Sequence, residues 1–109
     1  ALKAGVLANI THPELSLGFL AARHTLSQQY LRSLFNSDGT TFSDFVLSER
    51  LELARRMLGD PFRSGRRISE IAFEIGFNDL SYFNRTFRRR FGMTPSDARS
   101  QALAAASPG

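Results

Sequence analysis

Gln29, Arg32, Ser33 and Asn36 fall at spacings of three, four and seven residues, and so do Ser81, Asn84, Arg85 and Arg88. On a helix such spacings place each set along one face. The chemistry of both sets is that of base-edge readers in a DNA major groove. Arginine forks onto the two acceptors of guanine, asparagine and glutamine pair with the donor and acceptor of adenine, and serine accepts either pattern. Neither set contains an acid, whereas an ordinary solvated helix face mixes in Glu or Asp. The run Arg88-Arg89-Arg90 continues the second set. Arg88 and Arg89, with Asn36 at the matching end of the first set, are assigned to backbone phosphates, which need charge or a hydrogen-bond donor but no base pattern. Arg90 is assigned to the architecture.

Several helices must present these faces. The first stretch is a helix opening at Ser27, with Leu31, Leu34 and Phe35 turned inward and an end near Asn36 to Gly39. It follows a short helix capped by Ser16 that runs to Arg23 or His24 and buries Leu17, Leu20 and Ala21. The second stretch is a basic helix behind a Gly76 turn, capped by Asn78 or Asp79, with Phe83, Phe87 and Phe91 on its apolar side. The helix from Ile68 to Ile75 precedes it, weakly capped because Arg67 stands where Ser or Asp is preferred. A stripe of Leu2, Val6, Leu7 and Ile10 predicts a first helix over residues 1–10, stopped by His12-Pro13. Thr41-Phe42-Ser43-Asp44 opens the longest helix, to Leu58, with Phe42, Phe45, Val46, Ala54, Met57 and Leu58 as its apolar side and Arg50 reaching inward. Gly59-Asp60-Pro61 ends it, and residues 62–67 form a polar loop. Thr94-Pro95-Ser96-Asp97 opens a seventh helix. No strand emerges.

Composition sets the bounds. The chain has 109 residues, 42% of them hydrophobic and ten of them Phe, enough for one small domain or two subdomains on a shared element. Fourteen Lys and Arg against ten Asp and Glu give +4, and every cation but Lys3 is arginine. That bias suits bidentate contacts to phosphate and guanine. There is no cysteine, which removes disulfides, thiol nucleophiles and Cys-based zinc sites. No metal-ligand cluster, phosphate-cradling glycine loop or nucleophile–base pair stands out, so neither catalysis nor a cofactor is expected. His12 and His24 have no partner spacing and read as a loop residue and a helix-end residue. No run reaches the ~18 apolar residues of a membrane span, and the cytoplasm is the expected compartment.

The two readers belong to a repeat. Leu20-Ala21, Thr25 and Leu26 lie 51 residues before Ile71-Ala72, Gly76 and Phe77; Tyr30-Leu31 and Phe35 then lie 52 before Tyr82-Phe83 and Phe87. An aliphatic–Ala pair, a turn, an apolar plug, a cap, Tyr–apolar and a final Phe recur in register.

Ile71-Ala72, Gly76-Phe77, Ser81-Tyr82-Phe83, Arg85, Phe87, Phe91-Gly92, Thr94-Pro95 and Arg99 resemble the signature of the AraC/XylS family of bacterial transcription regulators. The first unit and linker resemble the family through Leu20-Ala21, Ser27, Leu31, Phe35, Gly39, Phe45, Arg50-Leu51, Ala54-Arg55 and Leu58. The resemblance covers residues 13–100. It implies an all-α, seven-helix domain of two helix-turn-helix subdomains joined by a long linker helix. Position by position it implies base contacts from Gln28, Gln29, Arg32 and Ser33 in the first unit and from Ser81, Tyr82, Asn84 and Arg85 in the second. It also implies a separate N-terminal effector or dimerisation domain, absent from this chain; RNA polymerase is a candidate protein partner. Three departures stand out: Thr25 where the family often has glycine, Ala98 where an aromatic is usual, and a longer, arginine-rich connection over 59–67 with Arg63, Arg66 and Arg67 either on phosphate or in solvent.

The expected organisation is a first subdomain over 1–40, a linker helix over 41–58, a second subdomain over 59–100 and a flexible tail over 101–109. The expected function is sequence-specific binding of double-stranded DNA by two recognition helices in successive major-groove segments. The alternative is a helical protein-interaction domain with weak or no DNA binding.

Overall fold

Side-chain caps and apolar plugs divide the chain into seven α-helices. In a computed structural model that describes residues 2–106 they are α1 (Leu2–Ala8), α2 (Leu17–His24), α3 (Gln28–Ser37), α4 (Phe42–Leu58), α5 (Ile68–Ile75), α6 (Leu80–Phe91) and α7 (Pro95–Ala106), with a 3-10 turn over Pro61–Arg63. Among the described residues there is no strand. The chain forms two compact units, Ala1–Arg50 and Leu51–Gly109, so the division falls inside α4.

In the first unit Val6, Leu20, Ala21, Leu31, Phe35 and Val46 make the core, with Leu2, Ile10, Leu15, Leu17, Leu34, Phe42 and Phe45 packed against it. The Phe35 ring meets Phe42 edge-on at 5.6 Å and Phe45 at 5.7 Å. Arg50 reaches inward as expected, its Nε donating to the Ile10 carbonyl at 2.8 Å and Nη2 to that of His12 at 3.0 Å. It thereby fixes the turn after α1 to α4. Burial lowers the guanidinium's pKa from its usual value.

Two expectations for α1 are corrected. Leu7 is 46% exposed, because a seven-residue helix turns one face inward and Val6, one residue away, takes it. The helix ends at Ala8, before His12-Pro13, where the Asn9 amide donates to the Gly5 carbonyl at 2.9 Å.

In the second unit the buried residues are Leu51, Ala54, Met57, Leu58, Ile71, Ala72, Ile75, Phe77, Phe83, Thr86, Phe87 and Pro95. A ladder of rings links Phe77 to Phe83 at 4.9 Å, Phe83 to Phe87 at 5.7 Å and Phe87 to Phe91 at 4.6 Å. Glu52 joins α4 to α6 by accepting from Arg55 at 2.9 Å and from Arg90 at 3.2 Å, the architectural role expected of Arg90. Helix α7 continues to Ala106, past the expected start of the tail at 101. Alanine-rich sequence propagates an established helix at one hydrogen bond per residue; residues 107–109 lie outside those described.

The repeat extends to a third helix. Thr41 and Thr94, 53 positions apart, each accept from the N–H of an aspartate three residues on, Asp44 and Asp97, both at 3.1 Å. Gly39 and Gly92, also 53 apart, both adopt positive φ, 76° and 73°. Each unit is therefore helix, turn, reader, glycine, helix, with α4 the counterpart of α7.

Candidate nucleic-acid interface

Both readers are set by the same local devices. The Ser27 hydroxyl accepts from the Tyr30 N–H at 3.1 Å, and the Asp79 carboxylate accepts from the Tyr82 N–H at 3.1 Å. Asp79, not Asn78, is the cap. Asn78 is the one residue added in the second copy, between the plug Phe77 and the cap. The preceding turns share their main bonds: Thr25 and Leu26 N–H donate to the Ala21 carbonyl as Gly76 and Phe77 N–H donate to that of Ala72, the Leu26 and Phe77 bonds both at 3.0 Å, and Gly76 N–H also reaches the Phe73 carbonyl at 3.2 Å. Gly76 makes its turn at φ 122°, whereas Thr25 makes the first at φ 55°, the one non-glycine at positive φ among the described residues. The first turn thus keeps the main hydrogen bonds of the second without the glycine.

Once Leu31 and Phe35 are buried in α3, and Phe83, Thr86 and Phe87 in α6, the remaining faces are fixed. Gln28, Gln29, Arg32, Ser33 and Asn36 are exposed on α3; Ser81, Tyr82, Asn84, Arg85, Arg88 and Arg89 are exposed on α6. The structure therefore brings every sequence-derived candidate to a reader surface. Thr86, only 6% exposed, was not foreseen; its hydroxyl donates back to the Tyr82 carbonyl at 2.8 Å, so it is satisfied within the helix.

Each face forms one wall of a groove. In the first unit Arg32 and Asn36 face Leu15, Ser16 and Leu17 at the start of α2 and Thr41, Phe42 and Ser43 at the start of α4. In the second, Ser81, Asn84, Arg85 and Arg88 face Ile68 and Ser69 at the start of α5 and Thr94, Pro95 and Ser96 at the start of α7. No acidic residue lines either groove. The recurrence of Thr-x-Ser-Asp at 41–44 and 94–97 is the sequence signal that marks the opposite walls.

The cations divide by partner. Arg63 is paired with Asp60, and Arg66 with Glu70 at 3.1 Å and Glu74 at 2.9 Å. Arg67 is 83% exposed, with Glu70 at 3.8 Å. Arg85, Arg88 and Arg89 have no acid in ion-pair range among the described residues. Three arginines of α6 thus stand exposed with no acid beside them, while Arg63 and Arg66 of the 59–67 connection are paired in place.

The family model for the helix-turn-helix domain matches residues 20–101. A solved transcriptional regulator from Chromobacterium violaceum, described as of the AraC-type DNA-binding-domain-containing proteins, is 32% identical, with a TM-score of 0.82 over 99% of this chain and 91% of that one. The chain belongs to the AraC-type helix-turn-helix family. It is a DNA-binding domain of the kind carried by bacterial transcription regulators. The transcriptional activator RhrA of Rhizobium meliloti is 41% identical over 107 residues, 96% of this chain and 33% of that protein. The XylDLEGF operon transcriptional activator of Pseudomonas putida is 38% identical over 88 residues, 80% of this chain and 27% of that protein. This AraC-type domain therefore spans about a third or less of the length of these two relatives. No helix among the described residues is long and apolar enough to cross a membrane.

Proposed function

We propose that this AraC-type domain binds one asymmetric site on double-stranded DNA, with α3 and α6 in successive major-groove segments roughly 34 Å apart on one face of the duplex. The observation that carries the reading is the pair of equivalent, acid-free grooves, each walled by an exposed reader face. Gln28, Gln29, Arg32 and Ser33 face the bases of one segment; Ser81, Asn84 and Arg85 face those of the other, with Tyr82 beside Arg85 on the same exposed face. Asn36, Arg88 and Arg89 face phosphates. The two faces differ in sequence, Arg32 and Ser33 standing where Asn84 and Arg85 stand, and this makes the site asymmetric over about two helical turns. The domain acts within a longer regulator whose remaining part senses an effector or dimerises, in the cytoplasm, with RNA polymerase as partner and no chemistry of its own.

Selection of bound duplexes from a random pool defines the site. On that site Arg85→Ala lowers affinity by ~1–3 kcal/mol and relaxes base preference at one position, whereas Arg88→Ala weakens selected and random duplexes alike and reduces the salt slope by about 1. Equal losses on selected and random DNA for Arg85→Ala would remove it from the base contacts. The alternative, a protein-docking domain, draws on the exposed Phe62 (98%) and Phe73 (53%), which lie outside both reader faces. Absence of any duplex binding at low salt would leave that alternative standing.

A further inference from the structure

Tyr82 and Arg85 are one turn apart on the reader face of α6, and the Arg85 guanidinium lies 5.8 Å from the centre of the Tyr82 ring. No acid is in ion-pair range of Arg85 among the described residues, so the aromatic face is the neighbour that orients this cation. A guanidinium on a long, mobile side chain gains specificity for guanine when its plane is fixed before contact, because less freedom is lost on binding. An aromatic face supplies such a hold through attraction to the ring quadrupole. Tyr82 stands in the first turn of α6, where Asp79 holds its backbone N–H at 3.1 Å, and the residue is 40% exposed.

The first unit supplies the contrast. Tyr30 occupies the equivalent place on α3, its N–H held by Ser27, and it is 51% exposed. The residue one turn on is Ser33, which offers no cation to hold. The two tyrosines share a backbone setting and differ in what stands beside them.

The geometry points to Tyr82 as a positioning residue: its share in base discrimination is exercised through Arg85, whose guanidinium it pre-orients toward guanine, and not through a base contact of its own. This rests on the assignment of Arg85 to base contact made above.

The test is a double-mutant cycle on this chain, reading the ratio of affinity for a duplex selected from a random pool over affinity for random duplex, at fixed salt, by fluorescence anisotropy. Thermal melts of each variant accompany it. Arg85→Ala lowers the ratio by roughly 5- to 150-fold. Tyr82→Ala lowers it several-fold, the double variant lowers it no further than Arg85→Ala alone, and Tyr82→Phe, which keeps the ring, restores it. Tyr82→Leu, which keeps an apolar side chain without the quadrupole, behaves like Tyr82→Ala. An unchanged ratio in Tyr82→Ala, a multiplicative loss in the double variant, or failure of Tyr82→Phe to restore the ratio each overturns the positioning role. An unchanged ratio in Arg85→Ala overturns the base-contact assignment itself, and the positioning role with it.

Discussion

Thr25 closes α2 at φ 55° and ψ 43°, a left-handed conformation that a β-branched side chain adopts at a cost of about 1–2 kcal/mol. Its counterpart in the second unit is Gly76. Glycine at position 25 removes the clash but leaves a more flexible unfolded chain, which offsets part of the gain. Thr25→Gly is therefore expected to stabilise the domain by ~0.5–1 kcal/mol, read as a higher urea midpoint at unchanged slope. A lower midpoint would mean that the turn is not strained. The strain was visible in the sequence only as threonine where its repeat partner is glycine; the φ angle shows that the chain kept the turn and bore the cost. Arg50 is the opposite case. An arginine in the middle of the long helix could point anywhere, and its inward role became definite only through carbonyls 38 and 40 residues away.

At the level of elements, the helices with a side-chain cap and an apolar plug were legible, because both signals are local. Less legible were features decided by what lies across the fold. Leu7 fits the α1 stripe as well as Val6 does, yet a seven-residue helix offers the core only one of them. Asn78 and Asp79 are both competent caps, and the bond from Tyr82 to Asp79 decides between them. Asp79→Ala is expected to cost ~1 kcal/mol, the usual loss of a side-chain cap, while Asn78→Ala changes the urea midpoint little; the reverse order would return the cap to Asn78. Glu52 illustrates a link between elements. Its pKa is lowered, chiefly by the Arg55 hydrogen bond and also by Arg90, so its contribution is present above the ordinary carboxylate pKa of about 4.3 and is lost as pH falls through the lowered value. Glu52→Gln should therefore be less stable than the parent at pH 7, by no more than ~1 kcal/mol for so accessible a cluster. The difference should vanish in acid; its persistence at low pH would indicate a packing effect.

At the level of the whole molecule, the reader faces could be traced from sequence because acid-free polar sets at helical spacing survive without any tertiary information. The grooves could not, since their opposite walls come from the starts of other helices, α2, α4, α5 and α7, and only the folded unit sets these across from the readers. The repeat itself contained the missing clue, but its third member sits at a changed offset. That drift, from 51 to 52 to 53, also says where the architecture accepts a change of length. Both added residues lie at the edges of the second reader, one before its cap and one beyond Phe87, so neither rotates the side chains between. One residue inserted between Leu26 and Ser27 should accordingly leave duplex binding within a few-fold of the parent. One alanine inserted between Arg32 and Ser33 turns everything after it by ~100°, carrying Phe35 out of the core and Asn36 off its face, and should abolish both folding of the first unit and site-specific binding. The domain is thus elastic in chain length at its joints and rigid in phase along its readers, and natural or engineered indels should be confined to the joints.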